Sequence, residues 1–163
     1  MQRDFIDGSL GTVEARAIVP GVVERIHRAK AGGETVIATM DTHGENYLDT
    51  AEGRRLPVKH CIRGTDGWQF PPEIAAALGD AEILEKPTFG SLALPGRITP
   101  AQDLTIELIG LCTDICVVSN ALLLKAHFPE ADLRVNSALC AGVTPQLHQA
   151  ALKTLASCQV EIL

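Results

Sequence analysis

The stretch richest in reactive side chains runs Gly110-Leu111-Cys112-Thr113-Asp114-Ile115-Cys116-Val117. It follows an apolar run at 104–111, and Asp114 reads as the N-cap of a helix over 115–127. Cys116 would then occupy the first helical turn. A helix N-terminus favours the thiolate, and the same turn offers backbone N–H groups able to bind a developing oxyanion. That combination suits attack on a carbonyl carbon. On position alone, a small buried core thiol fits Cys116 equally well. Lys86, directly before Pro87 at the end of another apolar run, adds a cation that can donate to a thiolate or an oxyanion. Its alternative is a solvated lysine at a strand end.

A second group lies at Asp41-Thr42-His43, with His60 at the far end of a polar loop. One carboxylate and two imidazoles suit a divalent metal: zinc, iron or manganese, with water in the remaining positions. Glu52, on the loop between the histidines, is either a further ligand or a solvated carboxylate. His27, His127 and His148 fall in predicted helices and read as structural.

The elements that must position these groups alternate. Apolar, β-branched or strand-like runs at 35–40, 81–85, 104–111, 133–137 and 159–163 predict strands. Helical spacing predicts helices over 19–30, 71–78 and 115–127, and Thr144-Pro145 opens a last one as cap and first-turn proline. The first ten residues read as a turn-rich loop, and 44–70 as a long polar excursion. Strands alternating with helices predict an α/β fold, a three-layer α/β/α arrangement with a mostly parallel sheet, as a single domain over 1–163. Asp41/His43, Lys86 and Cys112–Cys116 all fall just after a strand, the edge where open α/β sheets carry their sites.

Composition narrows the partners. The chain is 46% apolar but only 4% aromatic, which predicts the aliphatic core of a buried parallel sheet. Its net charge of −6, with cations scattered singly, argues against nucleic acid. The chain lacks both an apolar run long enough for a bilayer and a signal-peptide pattern. Five cysteines, an odd number set within predicted elements, point to thiols in a reducing cytoplasm.

These residues resemble the isochorismatase-like cysteine hydrolases, the group that includes nicotinamidases. The resemblance is carried by MQRDFIDGSLG at the start, DTHGENYLDT at 41–50, LPVKHC at 56–61, EKPTFGS at 85–91, GLCTDICV at 110–117 and CAGVTP at 140–145. It implies a six-stranded, mainly parallel fold and an Asp–Lys–Cys triad. Cys116 matches the nucleophile of the T-D-x-C motif and Lys86 the lysine of the E-K-P segment. Asp41, His43 and His60 match the metal ligands of nicotinamidase-like members, where the metal can hold a ring nitrogen of the substrate, and Glu52 falls where some members place an acidic fourth ligand. The resemblance also implies a cis peptide at Leu111-Cys112, an oxyanion hole from the backbone N–H groups of Cys112 and Cys116, and a substrate-packing role for Phe5. True isochorismatases do not use this cysteine. Its presence therefore implies hydrolysis of a small-molecule amide or ureide, through a thioester, rather than cleavage of a vinyl ether.

Two departures accompany the match. The family's catalytic aspartate stands immediately before the residue matching Met1, at the end of a first strand that the 163 residues do not include. Asp4 matches a different aspartate of the motif and is not assigned as general base. Without the first strand, the middle of the sheet is expected to carry a gap. The expectation is a true start upstream of Met1; the alternative is a catalytically impaired, binding-only paralogue. A redox role for Cys112 and Cys116 is a weaker third reading, because their C-x3-C spacing departs from the usual C-x-x-C. The second departure is the short stretch 91–103, where a fuller helix is expected; one pocket wall is then short or supplied by a neighbouring subunit of a homo-oligomer.

Overall fold

Thr12 caps the first long helix, which starts six residues earlier than the periodicity at 19–30 suggests. In the computed structural model, which describes Met1–Leu163, α2 spans Val13–Ala31, after a one-turn α1 at Arg3–Ile6 within the expected loop. The Thr12 side chain accepts from the Ala15 N–H at 3.0 Å, a regular N-cap. Pro20, inside α2, lies on its exposed side, where water can satisfy the carbonyl that loses its partner. The opposite stripe, Ala15, Val19, Val22, Ile26 and Ala29, is buried.

The chain divides into two units, Met1–Thr88 and Phe89–Leu163. In the first, β1 (Ile37–Asp41) and β2 (Glu82–Lys86) pair in parallel, with Asp41 opposite Lys86. Between them lie a 3-10 turn at Tyr47–Asp49 and two short helices, α3 (Ala51–Arg55) and α4 (Pro72–Leu78). The polar excursion at 44–70 thus holds the 3-10 turn and α3, with turns and irregular chain over the rest.

In the second unit β3 (Thr105–Leu111), β4 (Asp132–Ala141) and β5 (Glu161–Ile162) form a parallel sheet in that order. The register of β3 shifts between Leu108 and Gly110, and Gly110 takes φ +114°, a conformation that suits only glycine. A π-helical turn at Thr113–Val117 leads into α5 (Val118–His127). α6 (Pro145–Ser157) opens as predicted, with Thr144 capping the Leu147 N–H and Pro145 in the first turn. The stretch 91–103 holds only a 3-10 turn at Pro95–Arg97, not the fuller helix.

The architecture is thus mixed α/β with parallel pairing in every sheet, from five strands in a two-stranded and a three-stranded sheet. No helix is long and apolar enough to cross a membrane. In the second unit the core is aliphatic, with Leu124, Leu133, Val135 and Leu155 essentially fully buried. Leu155→Ala, at a side chain with 0% exposure, is expected to cost about 2–5 kcal/mol and lower the Tm by roughly 10 °C. Leu147→Ala, at a side chain 46% exposed, should leave the melting curve within a degree or two. Equal shifts in the two melts would contradict this placement of the core.

Candidate active site

Parallel pairing of β1 with β2 sets Asp41 and Lys86 side by side at the strand ends, and their buried side chains form an ion pair. Charges this well hidden persist only when paired. Lys86 Nζ also donates to the Thr88 carbonyl at 3.1 Å. The backbone of Asp41 is fixed by Gln2: its N–H donates to Gln2 Oε1 and its carbonyl accepts from Gln2 Nε2, both at 2.7 Å. Gln2 Nε2 donates to the Trp68 carbonyl as well, at 2.9 Å. Gln2 supplies the donor–acceptor pair that a neighbouring strand would otherwise present. Sequence reasoning missed it, because nothing in a glutamine at position 2 announces burial.

Just past β1, His43 forms a parallel bridge with Ile62: the His43 N–H donates to the Cys61 carbonyl and the Arg63 N–H to the His43 carbonyl, both at 2.9 Å. Asp4 holds this turn through Oδ2, which accepts from the Cys61 N–H at 2.7 Å. Asp4 is therefore a structural carboxylate. The bridge carries His60 to the side of His43, with ring centroids 5.0 Å apart. Glu52 comes from α3, where Thr50 accepts from the Gly53 N–H at 3.0 Å.

Glu52 Oε1 lies 3.7 Å from His43 Nε2 and 3.5 Å from His60 Nε2, and the three ligand atoms lie within 4.8 Å of one another. His60 Nδ1 donates to the Val58 carbonyl at 2.9 Å, and its Nε2 points toward Glu52. His43 Nε2 is buried without a hydrogen-bond partner. Burial, then the neighbouring His60, holds the His43 pKa below 6.5, and burial first of all lifts that of Glu52 above 4.5. Two imidazoles beside one carboxylate, with the ligand atoms converging and His43 Nε2 lacking a hydrogen-bond partner, fit a divalent metal ion. Asp41 falls outside this group, through its pairing with Lys86. Phe5 packs edge-on against His60 at 5.5 Å between ring centroids.

In the second unit, Cys116 sits half-buried within the π-helical turn rather than in the first turn of an α-helix. The expected N-cap by Asp114 is corrected: the turn has no side-chain cap, and Asp114 Oδ1 instead accepts from the Val143 N–H at 3.0 Å, after β4. The wider π turn displaces the helix start to Val118, so Asp114 serves a neighbouring segment instead. The Cys112 carbonyl accepts from the N–H groups of Ile115 and Val117, each at 3.1 Å, and the Leu111-Cys112 peptide is cis, as the resemblance implies. His148 Nδ1 and Thr113 Oγ1 share a hydrogen bond of 2.8 Å that ties α6 to the same turn.

Asn120, also unrecognised in the sequence, is buried beneath the thiol turn. Its Nδ2 donates to the Cys116 carbonyl at 2.8 Å and the Phe89 carbonyl at 3.3 Å, and its Oδ1 accepts from the Ser91 N–H at 2.8 Å. None of the five cysteines is in a disulfide. Burial raises the thiol pKa of Cys61 and pushes that of Cys140 up to about 12, so both hold their protons at neutral pH. Cys112 and Cys116 are half-buried and Cys158 is exposed.

Known proteins share this fold and sequence. The isochorismatase domain family matches residues 1–163. The uncharacterized isochorismatase family protein PncA of Bacillus subtilis (strain 168) is 28% identical over 131 residues, 73% of this chain and 71% of that protein. The pyrazinamidase of Pyrococcus horikoshii, solved in complex with zinc, is 27% identical and superposes with a TM-score of 0.84 over 100% of this chain and 94% of the other. The pyrazinamidase/nicotinamidase of Streptococcus mutans UA159 shares the fold at a TM-score of 0.87 and 24% identity, over 99% of this chain and 95% of that one. With a match spanning every residue, the chain belongs to the isochorismatase family.

Proposed function

We propose that the protein is a cysteine-dependent hydrolase of small-molecule amides, nicotinamidase-like, with Cys116 as nucleophile. One geometric fact supports this above all: His43 Nε2, buried and without a hydrogen-bond partner, faces Glu52 and His60 in a chain 27% identical to a pyrazinamidase solved with zinc. His43, Glu52 and His60 would hold a divalent ion, zinc before iron or manganese, which supplies Lewis acidity toward a ring nitrogen of the substrate. Asp41 is the further ligand implied by the resemblance.

In the proposed reaction the Cys116 sulfur attacks the amide carbon and the carbonyl oxygen takes the negative charge. The backbone N–H groups of Cys112 and Cys116 hold that charge, and Lys86 adds its cation. Collapse breaks the carbon–nitrogen bond; the nitrogen takes the proton that the thiol gave up to the aspartate and leaves as ammonia, and water then attacks the thioester carbon, its proton restoring the thiol. Phe5 packs against the substrate ring. The thiol proton goes to the aspartate that the resemblance places immediately upstream of the residue matching Met1. The competing reading is a catalytically impaired, binding-only paralogue that keeps the fold and the metal-ligating residues. We place the protein in the reducing cytoplasm, in keeping with its five thiols, and as a homo-oligomer in which the short 91–103 wall meets a neighbour.

A chain extended upstream to include the aspartate is expected to release ammonia from nicotinamide, and Cys116→Ala to lower kcat by about 10³-fold or more. Full activity in Cys116→Ala would overturn the nucleophile assignment. Silence from the extended chain on nicotinamide and on a panel of amides and ureides would favour the impaired paralogue.

The metal-free protein should also lose stability in acid through His43. Its folded pKa lies below 6.5, so the unfolded chain binds the proton first, and the loss develops as pH falls below 6.5 toward the folded value. Glu52, raised above 4.5, has the opposite sign: its contribution is lost as pH rises through its folded value. Urea midpoints measured in chelator at about pH 7.5 and about pH 5.5 should fall further for wild type than for His43→Asn. Equal falls would contradict a buried, neutral His43.

A further inference from the structure

We propose that Tyr47 is the positioning residue of the His43–Glu52–His60 group, holding both imidazoles and the Glu52 helix in ligating arrangement; this rests on the metal-binding reading above. Tyr47 is the chain's single tyrosine, with 0% exposure although it lies within a polar loop. Its ring centroid lies 4.9 Å from that of His43 and 4.9 Å from that of His60. With the two histidines 5.0 Å apart, the three rings form a closed triangle in which each is braced by the other two. A core aromatic needs only apolar neighbours; this one packs on the two rings whose Nε2 atoms approach Glu52.

Tyr47 is itself anchored at both ends. Its hydroxyl donates to the Leu56 carbonyl, just past α3, at 3.0 Å. Its carbonyl accepts from the Thr50 N–H at 3.0 Å and from Thr50 Oγ1 at 2.7 Å. Gly53 follows Glu52 directly, and a Cβ there would lie 2.0 Å from the Tyr47 carbonyl oxygen. Only glycine lets α3 seat against that carbonyl. The same residue therefore presses its ring on two ligands and its backbone on the helix that carries the third. An imidazole site loses affinity when the groups orienting its ligands are removed, typically by about 10–100-fold.

The test is titration of the metal-free protein with zinc by calorimetry and with cobalt by visible absorption. Wild type should bind one equivalent of each. Tyr47→Leu, which removes ring and hydroxyl, should weaken zinc about 10–100-fold and shift the cobalt absorption bands. Its metal-free circular dichroism should stay that of wild type. Gly53→Ala should weaken zinc in the same direction. Tyr47→Phe keeps the ring and loses only the Leu56 tether, so its loss should be smaller, about 3–10-fold. Should Tyr47→Leu fail to fold, Tyr47→Phe decides, because an unchanged affinity and cobalt spectrum there overturns the proposal. Folded Tyr47→Leu and Gly53→Ala proteins that bind as wild type does would make Tyr47 core filling only. A wild type that binds neither metal removes the metal-binding reading, and this proposal with it.

Discussion

The buried ion pair between Asp41 and Lys86 is the constraint around which the first unit is arranged. Removing two charges from water is costly, and a buried pair repays that cost only with close contact and further hydrogen bonds. The fold supplies both. Parallel register sets the two residues opposite each other, Gln2 fixes the Asp41 backbone, and the Thr88 carbonyl takes another Lys86 donor bond. Loss of either partner would strand a buried charge, at a cost of about 3–5 kcal/mol. Such a pair is weak evidence for stability in itself. Its position, at the carboxyl end of two parallel strands, is where α/β proteins place groups that act on ligands.

Immediately beyond the pair the chain makes a second accommodation of polar groups without water. His43, Glu52 and His60 converge from a strand end, a one-turn helix and a bridged loop, and burial shifts the first two toward their neutral forms. Two histidines and a carboxylate are a poor choice for filling a core. The His43 Nε2 without a hydrogen-bond partner has a simple account if these three residues serve a ligand. The second unit shows a parallel economy, since Asn120, Asp114 and His148 each spend a side-chain hydrogen bond on the turn that carries Cys116 or on the segments beside it.

The candidate site residues stand out in the sequence because their types are rare and most of them fall just after apolar runs. All five strands lie within three residues of their expected starts, since β-branched and aliphatic runs bounded by polar turns leave little ambiguity. The residues that hold the chemistry in place were not legible. Gln2 and Asn120 act through long-range hydrogen bonds, and Tyr47 through ring contacts across an irregular loop, none of which leaves a periodic trace. The early start of α2 lies outside the periodicity read at 19–30, and Pro20, inside the helix, sits on its exposed side. Asp114 misled because an aspartate at the start of a helical stretch looks like a cap, yet the π turn directs it to Val143.

The central claim, that Cys116 forms a covalent bond with an amide substrate, is tested most directly by acid-quenching the aspartate-containing chain during turnover of nicotinamide and mapping acyl adducts by peptide mass spectrometry. The account predicts a hydroxylamine-labile acyl increment on the peptide bearing Cys116. Turnover in which Cys116 stays unmodified while the increment appears on another thiol would contradict it.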